Sequence, residues 1–447
     1  MNLAATARGL IPVRQTVRVG VTGLARAGKT ALLTSLAANL LAVSARLTTL
    51  PALTQRLAGR DLRVRLAPSG AETFPRFDHA AHLAALEADP PRWPARTGAV
   101  SLLALDLEIG RTGWTSILPA QQVRLEFLDY PGEWLLDLPL LHRNFDDWSA
   151  DTLRRLENSE PAREFLGFVH ALPAAAPADE AIAKAGRGLY GALLNRLRDE
   201  QGLALLQPGR FLMPAPGPPP PWDGFFPLTG TGPLAALLRD RYDQYVQAVA
   251  RDLQAPSFGQ VDRLVVLADI LSALHTGPAA FADAAAALSA VAEALNWRRP
   301  PTFLPQWLTD LIPFGGISRV IFAASKADHV AQRQRGNLAA LVAALTQIPG
   351  GAATSSLALA AVRCTEDFVW TLDGRPVSAV RGRVEGVGIV GSYPGEVPDG
   401  PPDASFWAHP FLEIPNLQPM RLPLGGRGGV PHINLDALID LLLEDIL

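Results

Sequence analysis

Three lysines stand against 37 arginines in this chain, and two of the three lie in patterns that chemistry can use. Lys29 falls in Gly23-Leu-Ala-Arg-Ala-Gly28-Lys29-Thr30, a G-x-x-x-x-G-K-[ST] pattern between an alternating apolar run (15–23) and an uncharged run (30–45). Glycines there let the backbone turn tightly and aim successive N–H groups at phosphate oxygens, while a following helix adds the positive end of its dipole. The expected phosphate cradle is Gly23, Ala25, Arg26, Ala27, Gly28, Lys29, Thr30 and Ala31. Lys29 is expected to reach the β- and γ-phosphates as a point charge, and the Thr30 hydroxyl to ligate Mg²⁺. A planar guanidinium is the wrong shape for that loop, so a lysine persists where arginine serves elsewhere.

A second constellation is "FLDYPGEW", with Asp129 at the end of an apolar run and Gly132 three residues on. This is the D-x-x-G spacing of GTP-binding proteins, in which the carboxylate holds Mg²⁺ and the glycine amide senses the γ-phosphate. Glu133 then stands where many such proteins carry a residue that orients water, and a carboxylate can orient or deprotonate it. The loop "PRWPARTG" (91–98) is the candidate first switch, with Thr97 as a further Mg²⁺ ligand and Thr112 as the competitor. Arg96 and Arg26 are both candidates for an arginine acting on the γ-phosphate.

The third constellation contains Lys326. "ASKAD" resembles N-K-x-D with Ser325 in the asparagine place, and Asp328 two residues beyond the lysine. A carboxylate there accepts two hydrogen bonds from guanine N1–H and N2–H₂, which adenine does not offer, while the lysine stem packs over the purine. Cys364 and Thr365, at the end of the next apolar run, are expected to cover the base.

The elements that position these residues can be read from periodicity. Strand-like runs occur at 15–23, 99–109, 123–130, 262–270, 318–328 and 355–364, and the uncharged run 30–45 reads as a buried helix. Between 136 and 258 apolar residues recur at helical spacing, interrupted by an extended proline tract at 213–224. Another helix is expected at 278–296, an Asp-Gly hairpin at 369–380, loop at 390–430, and an Asn-capped amphipathic helix at the end. The expected architecture is α/β: a mostly parallel P-loop NTPase sheet of GTPase-like type, flanked by helices, with an inserted all-helical subdomain. The nucleotide-binding domain is assigned to 14–50, 95–135 and 260–447, a first insertion to 51–94, and the helical insertion to 136–258.

Composition sets limits. A net charge of −3 gives no reason to expect nucleic acid or an anionic membrane surface as partner. One cysteine excludes an intrachain disulfide and a cysteine-built zinc site, and suits a reducing, cytoplasmic compartment. No signal peptide and no transmembrane segment is expected.

Together "VTGLARAGKTALLTSL", "DPPRWPARTG", "FLDYPGEWLLDLPLL", "QVDRLVVLADILSAL", "FAASKADHV" and "PHINLDALIDLLL" resemble the YcjX family of bacterial P-loop proteins over nearly the whole chain. The resemblance implies a stress-associated cytosolic nucleotide-binding protein, a G domain interrupted by helical insertions, and a link to an inner-membrane companion protein. Three functions follow as expectations. The first is a slow Mg²⁺-dependent GTPase, alternating between GTP and GDP, whose helical insertion presents a surface to a protein partner. The others are an ATPase remodeller and a scaffold that holds nucleotide without hydrolysing it.

Overall fold

The computed structural model describes residues 15–24, 26–67, 74–95, 100–212, 218–254, 261–296, 317–347, 354–372, 374–409, 411–412, 414–422 and 428–447. Runs rich in Val, Leu and Ile form the strands β1 (Gln15–Gly23), β2 (Leu62–Leu66), β3 (Ser101–Ile109), β4 (Gln121–Asp129), β5 (Arg263–Ala268), β6 (Arg319–Ala324) and β7 (Thr354–Ala358). They make a seven-stranded sheet in the order β2-β3-β4-β1-β5-β6-β7. Pairing is parallel from β4 through β7, and β3 runs antiparallel to both its neighbours. This is a P-loop NTPase-like α/β fold. The central strand β5 is buried at every position, which is why it is continuously apolar from Leu264 to Ala268 rather than alternating.

One face carries α1 (Lys29–Ser44), α2 (Pro51–Leu57) and the terminal helix α11 (Leu435–Leu443), packed on Val17, Val19, Val21 and Val265, with α3 (His79–Glu87) against α1. Beyond Lys29, α1 is uncharged and buried nearly all round. Its Asn39 is satisfied internally, donating to the Ser35 and Val430 carbonyls. The other face carries α9 (Pro278–Asn296) and α10 (Arg335–Thr346), together with the helices α4 (Phe145–Leu156), α5 (Arg163–Ala171), α6 (Glu180–Glu200) and α7 (Pro233–Gln254). These last four surround an aromatic core in which Trp148 stacks on Tyr242 at 5.2 Å and meets Tyr190 and Phe225 edge-on.

α9 is long and apolar enough to cross a membrane, yet half of that stretch is buried against the rest of the chain. Its Asp283 accepts the backbone N–H groups of Ala204 and Leu205 and pairs with Arg155, which ties the helix to the residues after α6.

Several local expectations need correction. Residues 51–94 read as helix formers and rigid loop, but Leu62–Leu66 extend the sheet through a register that pairs Leu62 with Ile109. The run is too short and too charged, "LRVRL", for its alternation to stand out, and the edge position tolerates its arginines. The 355–364 run leaves the sheet at Ala358. Within 390–430 there is a strand end and a short helix, Ala404–Trp407. The hairpin is present as β8 (Thr365–Leu372) and β9 (Arg375–Val384), with Gly374 at φ 75°, and β10 (Gly388–Ser392) adds a third strand. Asn434 does not cap α11 through its side chain: it sits at φ 59° and donates to the Ala358 carbonyl, tying the helix start to β7. Part of the proline tract, 213–217, lies outside the described residues.

Candidate functional site

The phosphate loop leaves β1 at its carboxyl end, in the middle of the sheet, where neighbouring strands diverge to opposite sides. Its entry is fixed by close backbone packing. Leu24 N–H donates to the Leu267 carbonyl at 3.0 Å, and a Cβ on Gly23 would run into that same oxygen. Gly28 sits at φ 90°, a left-handed conformation natural to glycine, and starts α1 without any side-chain cap. The first-turn N–H groups of α1 are therefore left for something other than its own cap residue. Arg26 is exposed and also has positive φ. Ala27 N–H closes the loop onto the Leu24 carbonyl, and Lys29, Thr30 and Ala31 begin the helix. Lys29 has no ion pair with a described residue, whereas the other site lysine, Lys326, is paired.

β4 lies beside β1, in a register that pairs Val21 with Asp129. Tyr130 N–H donates to the Val21 carbonyl, and the chain then crosses in front of the phosphate loop. Gly132 is pressed on the Gly23 carbonyl so closely that a Cβ there would overlap it. Asp129 is buried and Glu133 half-buried. The Asp129–Gly132 pair is thus held against the loop by backbone contact.

The same register bears on Thr112, one of the two candidate switch threonines. Ser101, at the start of β3, pairs with Asp129, while Ile109 pairs with Gln121 at the opposite end of the sheet. Thr112 follows Ile109, so it stands roughly 25 Å of strand length from Asp129. Thr97 and Arg96, just ahead of β3, lie outside the described residues, as does Ala25.

At the other end, Ser325 follows β6 and its N–H donates to the Ala268 carbonyl at 2.9 Å. Lys326 turns through φ 59° and its ammonium pairs with Asp269 at 2.5 Å. Asp269, which the sequence reading passed over, also caps α8 (Ile270–Thr276) by accepting from Ser272 N–H. Asp328 is buried, and its Oδ2 accepts the Cys364 N–H at 2.7 Å and thiol at 2.9 Å. The Thr365 hydroxyl donates to the Asp328 carbonyl. Oδ1 of Asp328 takes no hydrogen bond from a described residue. Burial and the neighbouring Asp328 carboxylate push the Cys364 thiol well above its ordinary range, so it acts here as an S–H donor. His329, its ring 3.4 Å from Cys364 Sγ, is lowered by burial and stays neutral at pH 7. These three groups converge within 4.8 Å, but their contacts are those of a hydrogen-bonded set around Asp328.

One cleft of about 310 Å³ joins both ends, lined by Arg26, Ala27, Gly28 and Ala31 and by Ser325, Lys326 and Asp328. Most of its remaining wall comes from residues that motif reading missed: Trp93, Leu359–Val362 and Ile414–Leu417. Trp93 is 40 % exposed, and its indole N–H donates to the Leu417 carbonyl at 2.8 Å. A tryptophan in a proline-rich loop was the available signal; nothing local marked 414–417.

Beyond the phosphate end, the segment after Gly132 is clamped by the helical region. Asp137 is fully buried, accepting the Gly209 N–H at 2.8 Å and the Tyr245 hydroxyl at 2.5 Å. Burial raises its carboxyl to a pKa of about 6, against these two donors and Arg210, which lower it. Gln207 donates to the Leu136 carbonyl, Gly209 packs on the Glu133 carbonyl, and the Arg210 guanidinium lies 4.8 Å from the Trp134 ring.

Comparison with known proteins places the chain in a family. The profile of the YcjX-like family, DUF463, matches residues 17–447. A protein of Escherichia coli K12 described as "Ras-like GTPase YcjX" is 32 % identical over 453 residues, covering 96 % of this chain and 95 % of that protein. A protein of Shewanella oneidensis with the same description is 31 % identical over 466 residues, covering 96 % and 94 %. With a phosphate-loop fold, a matching profile and two relatives aligned nearly end to end, this chain belongs to the YcjX-like family.

Proposed function

We propose that the chain binds guanine nucleotide with Mg²⁺ and hydrolyses GTP slowly, acting as a switch whose output is the packing of the helical region 136–258. The observation that carries this reading is the continuous cleft from Gly28 to Asp328, with a buried carboxylate held in place at its far end. The E. coli and S. oneidensis relatives, named as Ras-like GTPases, support it.

In this reading the uncapped start of α1, Gly28 and Lys29 hold the phosphates, and Asp328 reads the guanine edge. Cys364 keeps that carboxylate oriented, and Trp93 with the Lys326 stem flanks the base. Thr30, Asp129 and Thr97 are oxygen donors suited to Mg²⁺, which neutralises charge on the phosphates when bound. Glu133 orients the attacking water or accepts its proton. Gly132 packs directly on the Gly23 carbonyl, so any movement toward a γ-phosphate shifts the chain that leads to Asp137 and the helices beyond. The stress-associated role and the inner-membrane companion implied by the resemblance extend this proposal to a protein partner on the helical region, with the chain in the cytoplasm.

The deciding experiment is displacement of fluorescent GDP by unlabelled GDP, GTP, ADP and ATP in Mg²⁺. Guanine nucleotides alone should compete. Equal competition by ADP and ATP would make Ser325–Asp328 an ordinary turn and turn attention to an ATPase. Turnover above a Lys29→Ala background separates the hydrolase from a scaffold.

A further inference from the structure

The last turn of α6 reaches the phosphate loop and the Glu133 segment together. Asp199 lies 3.7 Å from the Arg26 guanidinium. It is also gripped by its neighbour Arg198, Nε to Oδ1 at 3.0 Å and Nη2 to Oδ2 at 3.1 Å, and Nη2 donates again to Asn195 Oδ1 at 2.8 Å. These bonds use one edge of the guanidinium; Nη1 has no partner among the described residues. The Asp199 hydrogen bond first, and the nearby Glu133 carboxylate after it, hold Arg198 above the ordinary arginine range in spite of partial burial.

Helix stability does not account for this arrangement. A carboxylate in the last turn opposes the helix dipole, and adjacent residues on a helix do not normally face one another. The Arg26–Asp199 pair is half exposed on both sides and is worth little by itself. What the pairing does is fix the direction of one guanidinium through a carboxylate that lies 3.7 Å from the phosphate-loop residue Arg26.

We infer that Arg198 is the arginine that the helical region delivers to the γ-phosphoryl group, and that Asp199 is the positioning residue that aims it. The inference rests on the hydrolase reading above. Water attacks the γ-phosphorus, the bond to the β–γ bridging oxygen breaks, and the electron pair leaves with the β-phosphate of GDP. The water proton passes to Glu133 or to the departing phosphate. Arg198 stays protonated throughout and offsets the negative charge gathering on the bridging and γ-oxygens.

The test uses the full chain, measuring single-turnover GTP hydrolysis and GDP affinity for the wild type, Lys29→Ala, Arg198→Ala, Arg198→Lys and Asp199→Asn. Arg198→Ala should lose at least about tenfold in rate, toward the Lys29→Ala background, with GDP affinity within about twofold of wild type. It should also fail to form the GDP–aluminium fluoride complex. Arg198→Lys should restore a minor part of the rate, added guanidinium should restore some in Arg198→Ala, and Asp199→Asn should be intermediate. Wild-type hydrolysis in Arg198→Ala, or a fall in rate matched by an equal fall in GDP affinity, overturns the inference and leaves the hydrolase reading standing. A wild type no faster than Lys29→Ala overturns both.

Discussion

Asp328 and Asp137 are both buried aspartates, one four residues past the end of β6 and the other after the helical turn Gly132–Leu135, and they are held in opposite ways. Asp137 spends its oxygens on its own chain, on Gly209 N–H and the Tyr245 hydroxyl, and its pKa rises to about 6. Asp328 commits its Oδ2 to Cys364, and the residue lines the cleft. A buried carboxylate satisfied by the protein joins two parts of a fold. One left half-satisfied at a cleft wall suits the ligand-reading role proposed for Asp328, because leaving such a group unpaired costs more than a hydrogen bond returns.

The largest test of that contrast is Asp328→Asn. Fluorescent GDP titration should show guanine affinity falling on the order of 10⁴-fold, with adenine nucleotides unaffected. An unchanged GDP affinity would place Asp328 in the same class as Asp137.

Asp137→Asn comes next and reads out in stability. The folded-state pKa of about 6 lies above the ordinary 3.8, so between those values the folded chain holds a proton that the unfolded chain has released. Wild-type stability should therefore decline as pH rises from about 4 to 6, by on the order of 3 kcal/mol relative to the non-titrating variant. Urea melts at pH 4 and pH 7.5 check this, and a pH-independent gap between the two proteins would remove Asp137 from the account.

Cys364→Ala removes one hydrogen bond to the Asp328 carboxylate and should weaken GDP binding about tenfold, while Cys364→Ser, which still donates, should stay within about threefold. The smallest effect expected is Trp93→Phe. Loss of the indole bond to the Leu417 carbonyl should weaken GDP binding a few-fold, and the nucleotide-dependent tryptophan fluorescence should shrink with it.

The two aspartates also differ in how visible they were. Asp328 stands two residues after a rare lysine at the end of an apolar run, so its spacing carried a recognisable chemistry. Asp137 sits in "LLDLPLL", where nothing local distinguishes it from a surface turn residue. Its partners are 72 and 108 residues away. Asp269 and Asp199 were missed for the same reason: each acquires meaning from Lys326 or Arg26, across 57 and 173 positions of chain.

The sequence by itself determined the strand–loop–helix of residues 15–44, the Asp129–Gly132 step, the Ser325–Asp328 turn and the helical character of the segments between them. Each depends on contacts within a few residues, where glycine freedom, apolar periodicity and motif spacing act directly. Tertiary structure decided that β2 joins the sheet edge, that Thr112 stands at the far end from Asp129, and that Trp93 and Ile414–Leu417 wall the cleft. It also brought the end of α6 to the phosphate loop. Those outcomes depend on register and on packing between distant segments, where a one-residue slip moves every side chain to the other face, and no local pattern records which register is formed.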